Sequence, residues 1–190
     1  SGMRKEGIIV KSTSGTQVSD NTLRDNKKGV QVYDATNTVV DNNVMTNTES
    51  ASVIVTKGSI GTSVTNNTID GGLNGVVVSG GNNTLVSGNT ITDITDTNPS
   101  RIDSDFQKGV AILSNNGATN VTISDNTITD GSDGVRIDLA GMGNIVSNND
   151  ISGMRKEGII VKSTSGTQVS DNTLRDNKKG VQVYDATNTV

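Results

Sequence analysis

The 190-residue chain has no cysteine, no histidine and no tryptophan, a single Phe, a single Pro and two Tyr. Without Cys there can be no disulfide, thiolate metal site or Cys nucleophile. Without His, imidazole ligands, Ser–His triads and His acid–base chemistry are excluded. Hydrophobic residues make up 31% and aromatics 2%, too little apolar bulk for a conventional α/β enzyme core. The net charge of −4 argues against a general nucleic-acid binder. No apolar run approaches the roughly 20 residues of a membrane span, and residues 1–20 do not read as a signal peptide.

What the chain does have is Gly (22), Asn (23) and regularly spaced Val and Ile. Such spacing separates it from a disordered sequence of similar polarity. Residues 1–39 recur without a change as residues 152–190, an offset of 151. Drift does not leave 39 positions untouched, so the segment was duplicated recently or copied deliberately. The chain therefore reads as a single solenoid over residues 1–190 with a 151-residue tandem period.

A shorter period runs inside that unit. Rows begin at Gly7, Gly29, Ser52, Gly75, Gly109, Gly134, Gly158 and Gly180, with spacings of 22, 23, 23, 34, 25, 24 and 22 residues. One and three residues after each start stand apolar side chains: Ile8/Val10, Val30/Val32, Val53/Val55, Val76/Val78, Val110/Ile112 and Val135/Ile137. A period of two marks a strand with one buried face, and β-branched residues suit it. The remainder of each row is Gly, Ser, Thr, Asn and Asp, with no room for a helix. No row can bury its apolar face alone, so rows must stack about 4.8 Å apart around a shared core. The reading is all-β: a right-handed parallel β-helix of about seven to eight turns, one carrying a longer loop.

Seven rows carry an Asn at one position: Asn21, Asn43, Asn67, Asn89, Asn126, Asn149 and Asn172. Stacked directly, each amide can donate to the next side-chain carbonyl and satisfy polar groups inside a bend. Asn also tolerates the left-handed backbone that tight bends use. The expectation is an inward-facing structural ladder.

These rows resemble the turns of right-handed parallel β-helices of the pectin-lyase-like superfamily. Lys156–Lys162 followed by Gly180–Tyr184 is similar to later turns of mannuronan epimerase catalytic modules. That resemblance implies the fold. Epimerases of the family share an Asp-Pro-His motif, and this sequence lacks it; its one Pro is in Asn98-Pro99-Ser100.

Outward positions of stacked strands form columns, so candidate sites are read down the rows. Ile54, Val77, Ala111 and Leu113 would make an apolar strip on an outer sheet, suited to a covering loop or a partner interface. Asp138, Lys162 and Tyr184 fall on successive rows, beside Arg136. Uronate epimerases and lyases need a cation on the carboxylate, a base for the C5 proton and often a Tyr, so these four are the catalytic candidates. A plain cross-strand charge pair is the competing reading. The long row carries an insertion at about residues 92–107, whose Asp93, Asp96, Asp103 and Asp105 could offer oxygen ligands to Ca²⁺. Their spacing matches no EF-hand or calcium roll, and the sequence otherwise implies no cofactor.

Three functions compete. The favoured one is a structural repeat segment of a long extracellular or cell-surface fibre or adhesin, with weak polysaccharide binding and other copies of the repeat end to end as partners. The alternatives are a polysaccharide C5-epimerase or lyase module, and an engineered β-helix fragment without activity.

Overall fold

The computed structural model describes residues 5–95 and 109–190, and every strand pairing among them is parallel. No helix occurs among the described residues. Each turn contributes three short strands, as in Lys28–Tyr33, Val39–Asp41 and the start of Val44–Thr56. The middle strands form a seven-stranded sheet. The other two sets join into a 13-stranded sheet, because Val44–Thr56 and Thr68–Ser79 each run through the corner between two faces. The molecule is a parallel β-helix.

Stacking places like on like, as the row pattern requires. Val30, Val53, Val76, Ile112, Val135, Ile159 and Val181 are successive register partners in one column. Val18, Val40, Val64, Val86, Ile123, Val146 and Val169 make the column on the seven-stranded sheet. Leu23, Met45, Ile69, Ile91, Ile128, Ile151 and Leu174 make the third. These columns meet in one continuous core. Side chains with small, branched ends pack at the strand spacing with no turn-specific partner, which is why so few apolar residues suffice.

The fifth row departs from the sequence reading. Ile112, not Val110, pairs with Val76 and Val135, so Ala111 occupies the position of Gly75 and Gly134. The inward pair in this turn is Ile112 and Ser114; Val110 lies on the other side of the sheet. The Gly109 start misled because the insertion removes the spacing cue on one side.

The recurrent row-start glycine has a steric cause. A Cβ on Gly29 would strike the backbone carbonyl of Ser52 above it, and one on Gly134 would strike the carbonyl of Gly158. The strand enters the sheet from a corner here, and at these glycines the adjacent turn lies within reach of a Cβ, whereas Ser52 and Ala111 occupy the same position in two other turns.

The asparagines divide into two roles. Ladder residues Asn43, Asn67, Asn89, Asn126 and Asn149 are buried and do not use the left-handed backbone. The residue before each of the seven ladder asparagines does: Asp20, Asn42, Asn66, Gly88, Asp125, Asn148 and Asp171 have φ between 52° and 67°. A second left-handed column runs through Asp25, Asn47, Gly71, Asp93, Asp130, Gly153 and Asp176. Corners of this kind admit Gly, Asn and Asp most readily, and that accounts for the composition.

Candidate functional site

The outer face of the Lys28–Tyr33, Asp133–Asp138, Glu157–Lys162 and Lys179–Tyr184 column of strands carries most of the polar candidates. Asp138 is the register partner of Lys162, and Lys162 of Tyr184, so three of the four catalytic candidates do stand on successive turns. Arg136 lies one column over, in register with Ile160.

Their contacts are those of a closed ionic cluster. Asp138 is 2% exposed, and its Oδ2 accepts from Nε and Nη2 of Arg136 at 3.3 and 3.2 Å. The same guanidinium reaches Oδ2 of Asp133 at 3.7 Å. The Lys162 ammonium lies 5.4 Å from the centroid of the Tyr184 ring. Lys11 and Tyr33, their counterparts in the repeated segment, make the same contact at 5.4 Å. The Lys–Tyr pair thus follows from the stacking of two identical rows.

The register shift takes Ala111 out of the apolar strip. Leu113, rather than Ala111, continues the column of Ile54 and Val77, while Ala111 packs in the main core. Ile54, Val77 and Leu113 are all buried and cluster with Ala51 and Val110 into a second, smaller core on the outer side of the sheet. They offer no open surface.

Of the calcium candidates, Asp96, Asp103 and Asp105 lie outside the described residues. Asp93 sits at a left-handed corner and lines a small open cavity of about 210 Å³ with Thr95, Asp130, Gly131, Gly153 and Arg155. No group of three or more acidic side chains able to hold a metal occurs among the described residues.

The sequence reading missed the column immediately before the row start, where Asp133, Glu157 and Lys179 stack. Reading one position upstream of each Gly would have found it. Asp133 is 2% exposed; burial pushes its carboxyl above the ordinary value, against the opposing pull of Lys156, the Glu157 backbone N–H and Arg136. Burial also acts upward on Glu157. That is outweighed by Lys179, whose Nζ donates to Oε1 at 2.9 Å, by a hydrogen bond from Asp133 and by Lys156, so Glu157 is held below the ordinary range.

The fold and this unbroken column of stacked turns define a right-handed parallel β-helix. The family profile described as a right-handed β-helix region matches residues 6–98 and 52–190, and the chain belongs to that family. No curated protein sequence matches it. Among solved structures it is similar to the A-module of a mannuronan C-5 epimerase from Azotobacter vinelandii, with TM-score 0.75 at 18% identity, over 98% of this chain and 54% of the module. It is also similar to a surface adhesin of Streptococcus pneumoniae, with TM-score 0.37 at 11% identity, over 94% of this chain and 62% of the adhesin. The chain spans about half the length of the epimerase module, and at this identity the likeness is one of fold.

Proposed function

We propose that the chain is a structural segment of a long extracellular or cell-surface fibre built from 151-residue repeats, with polysaccharide as the ligand class of its outer face. The observation that supports this is the behaviour of the repeated segment. Residues 8–11 stack on 30–33 with the same register as 159–162 on 181–184. The same sequence therefore makes the same rungs in two places, as a periodic array requires. In such an array a row like Gly180–Val190 is followed by one like 40–56, and that step already exists in this chain between Lys28–Tyr33 and Val44–Thr56. Polypeptides of one, two and three periods, viewed by electron microscopy, should be rods lengthening by about 29 Å per period, six turns at about 4.8 Å each. Particles that grow in number of lobes rather than in length would refute the fibre.

The epimerase or lyase reading draws on the Arg136, Asp138, Lys162 and Tyr184 positions. A base for the C5 proton must reach substrate, whereas Asp138 is buried and held by Arg136. The chain should therefore bind alginate or pectate weakly, detected as retardation in affinity electrophoresis, without producing unsaturated uronate absorbance or altered C5 stereochemistry. Product formation that disappears in Lys162→Ala would establish the enzyme instead.

A further inference from the structure

Three positions carry the triplet Asn-x-Thr without Pro in the middle: Asn66-Asn67-Thr68, Asn82-Asn83-Thr84 and Asn120-Val121-Thr122. This is the acceptor pattern for N-linked oligosaccharides, and it carries weight only where the fold leaves the first Asn outside with room for a bulky group. The three differ in that respect.

Asn66 and Asn120 are exposed corner residues with φ of 53° and 51°. They stand at opposite ends of strands in the seven-stranded sheet: Asn66 follows Ser63–Thr65, and Asn120 precedes Thr122–Ser124. Each has a glycine stacked on it from the next turn. A Cβ on Gly88 would lie 2.8 Å from Oδ1 of Asn66, and one on Gly143 would strike Oδ1 of Asn120. The stacked residue therefore brings no side chain against either amide. From the turn before, each amide nitrogen is bonded but not used up. Nδ2 of Asn66 donates to Oδ1 of Asp41 at 2.9 Å, and Nδ2 of Asn120 to Oδ1 of Asn83 at 3.1 Å. A side-chain amide has two N–H groups, so one can be replaced by a sugar while the other keeps its bond. Asn82 is placed differently. It is half-buried, bridged between Ile60 and Thr119 of the adjoining turns, and its Oδ1 accepts from the Thr119 hydroxyl at 2.6 Å.

We infer that Asn66 and Asn120 are N-glycosylation sites, taking an oligosaccharide from a lipid-diphosphate carrier. Nδ2 forms a bond to the sugar C1 and the C1–O bond to the diphosphate breaks. The lipid diphosphate leaves with that electron pair, and one amide proton is released. The middle residues of the two triplets, Asn67 and Val121, are 1% and 0% exposed, so transfer precedes the closure of these turns. Sugars anchored at both ends of these strands screen the outer face of the seven-stranded sheet, where Leu85, 36% exposed, lies in register between Ser63 and Thr122. The inference rests on the extracellular reading of the chain, since lipid-linked donors and their transferases serve proteins bound for that side of the membrane.

The test supplies donor and transferase to the purified full chain, so its failure rejects the sites and leaves the extracellular reading standing. The chain is diluted from urea into an oligosaccharyltransferase that reads Asn-x-Thr, together with a lipid-linked oligosaccharide, and the folded soluble product is mapped by mass spectrometry. Occupancy of Asn66 and of Asn120 should exceed that of Asn82 at least tenfold. Thr68→Val and Thr122→Ile should each remove one glycan while keeping the fold, because Val44 and Ile145 already stand in the same columns. The doubly modified chain should unfold at the same urea midpoint as the unmodified one. An empty Asn66 or Asn120, equal occupancy of Asn82, glycans that persist in the two Thr variants, or a lowered midpoint in the modified chain would each overturn the assignment.

Discussion

Asn89 donates both its backbone N–H, at 3.0 Å, and its side-chain amide, at 2.9 Å, to the Oδ1 of Asn126, 37 residues further on. Every other step of the ladder spans 22 to 24 residues. The insertion thus leaves the stack untouched, and Asn126 carries the ladder across the step. Its own amide donates to Val86 O, Ser124 O and Asn149 Oδ1.

Replacing Asn126 by Ala removes the acceptor of the Asn89 backbone N–H and the side-chain donor to the Val86 carbonyl in a dry bend, while Asn149 Oδ1 keeps the Asn126 backbone N–H and the Asn89 amide keeps Val64 O and Ser87 O. The expected loss is about 3 kcal/mol of unfolding free energy, read as a lower urea midpoint. Asn126→Asp should be at least as damaging, because a carboxylate has no proton to give to Val86 O or Asn149 Oδ1. A variant with Asp as stable as the parent would mean the ladder is not held by these amide donors.

The ladder, the turn count and the columns of Val and Ile were legible because each is written as a repeat with a single physical meaning. The fifth turn was not. Gly109 has the look of a row start, while Ala111 takes the actual position, and only the pairing of Ile112 with Val76 and Val135 decides between them. Of the two readings of the outer strip, a cover or a partner interface, alternation alone could not choose. Alternation tells which residues leave the main core, but Ile54, Val77 and Leu113 enter a second one. Lys162 and Tyr184 were correctly placed, since their spacing equals one turn. The Asp133–Glu157 pair was overlooked, because charged residues flanking a glycine look like an ordinary corner.

Two glycines should respond differently to the same change. Gly29→Ala forces a methyl group against the Ser52 carbonyl and the Met45 sulfur, and should cost roughly 2–3 kcal/mol by overpacking. Gly15 has φ +66° and open space around its Cβ position. Gly15→Ala should cost about 1 kcal/mol through backbone strain alone, and Gly15→Asn less. Denaturant titration of the three variants separates the steric cause from the conformational one.

Leu139 is a branched residue held at φ 53°, with its side chain 60% exposed. The corresponding corners of neighbouring turns carry Asn116 and Ser163. The leucine gains little from burial and bears the left-handed strain, so Leu139→Asn should stabilise the fold by about 0.5–1 kcal/mol. Thermal melts would show a small rise in Tm; a fall would indicate that Leu139 makes a contact of its own worth more than the strain.

The Asp133–Glu157 pair sets a pH dependence of defined sign. Asp133 titrates above its unfolded value, so its contribution is fully present below the unfolded pKa and is lost as pH rises through the folded one. Glu157 titrates below its unfolded value, so its contribution is present above the unfolded pKa and is lost as pH falls through the folded one. The two oppose each other across the acid range. Asp133→Asn removes the first and keeps an N–H donor facing Glu157, with Arg136, Lys156 and Lys179 still surrounding the pair. The variant should therefore be more stable than the parent at pH 7, and the advantage should shrink on acidification, as the burial penalty on the Asp133 carboxylate is relieved towards its unfolded pKa. Urea midpoints at neutral and acid pH test this directly. An advantage that stays the same at both, or a loss of stability at pH 7, would show that the attraction of Arg136 and Lys156 for Asp133 outweighs its burial.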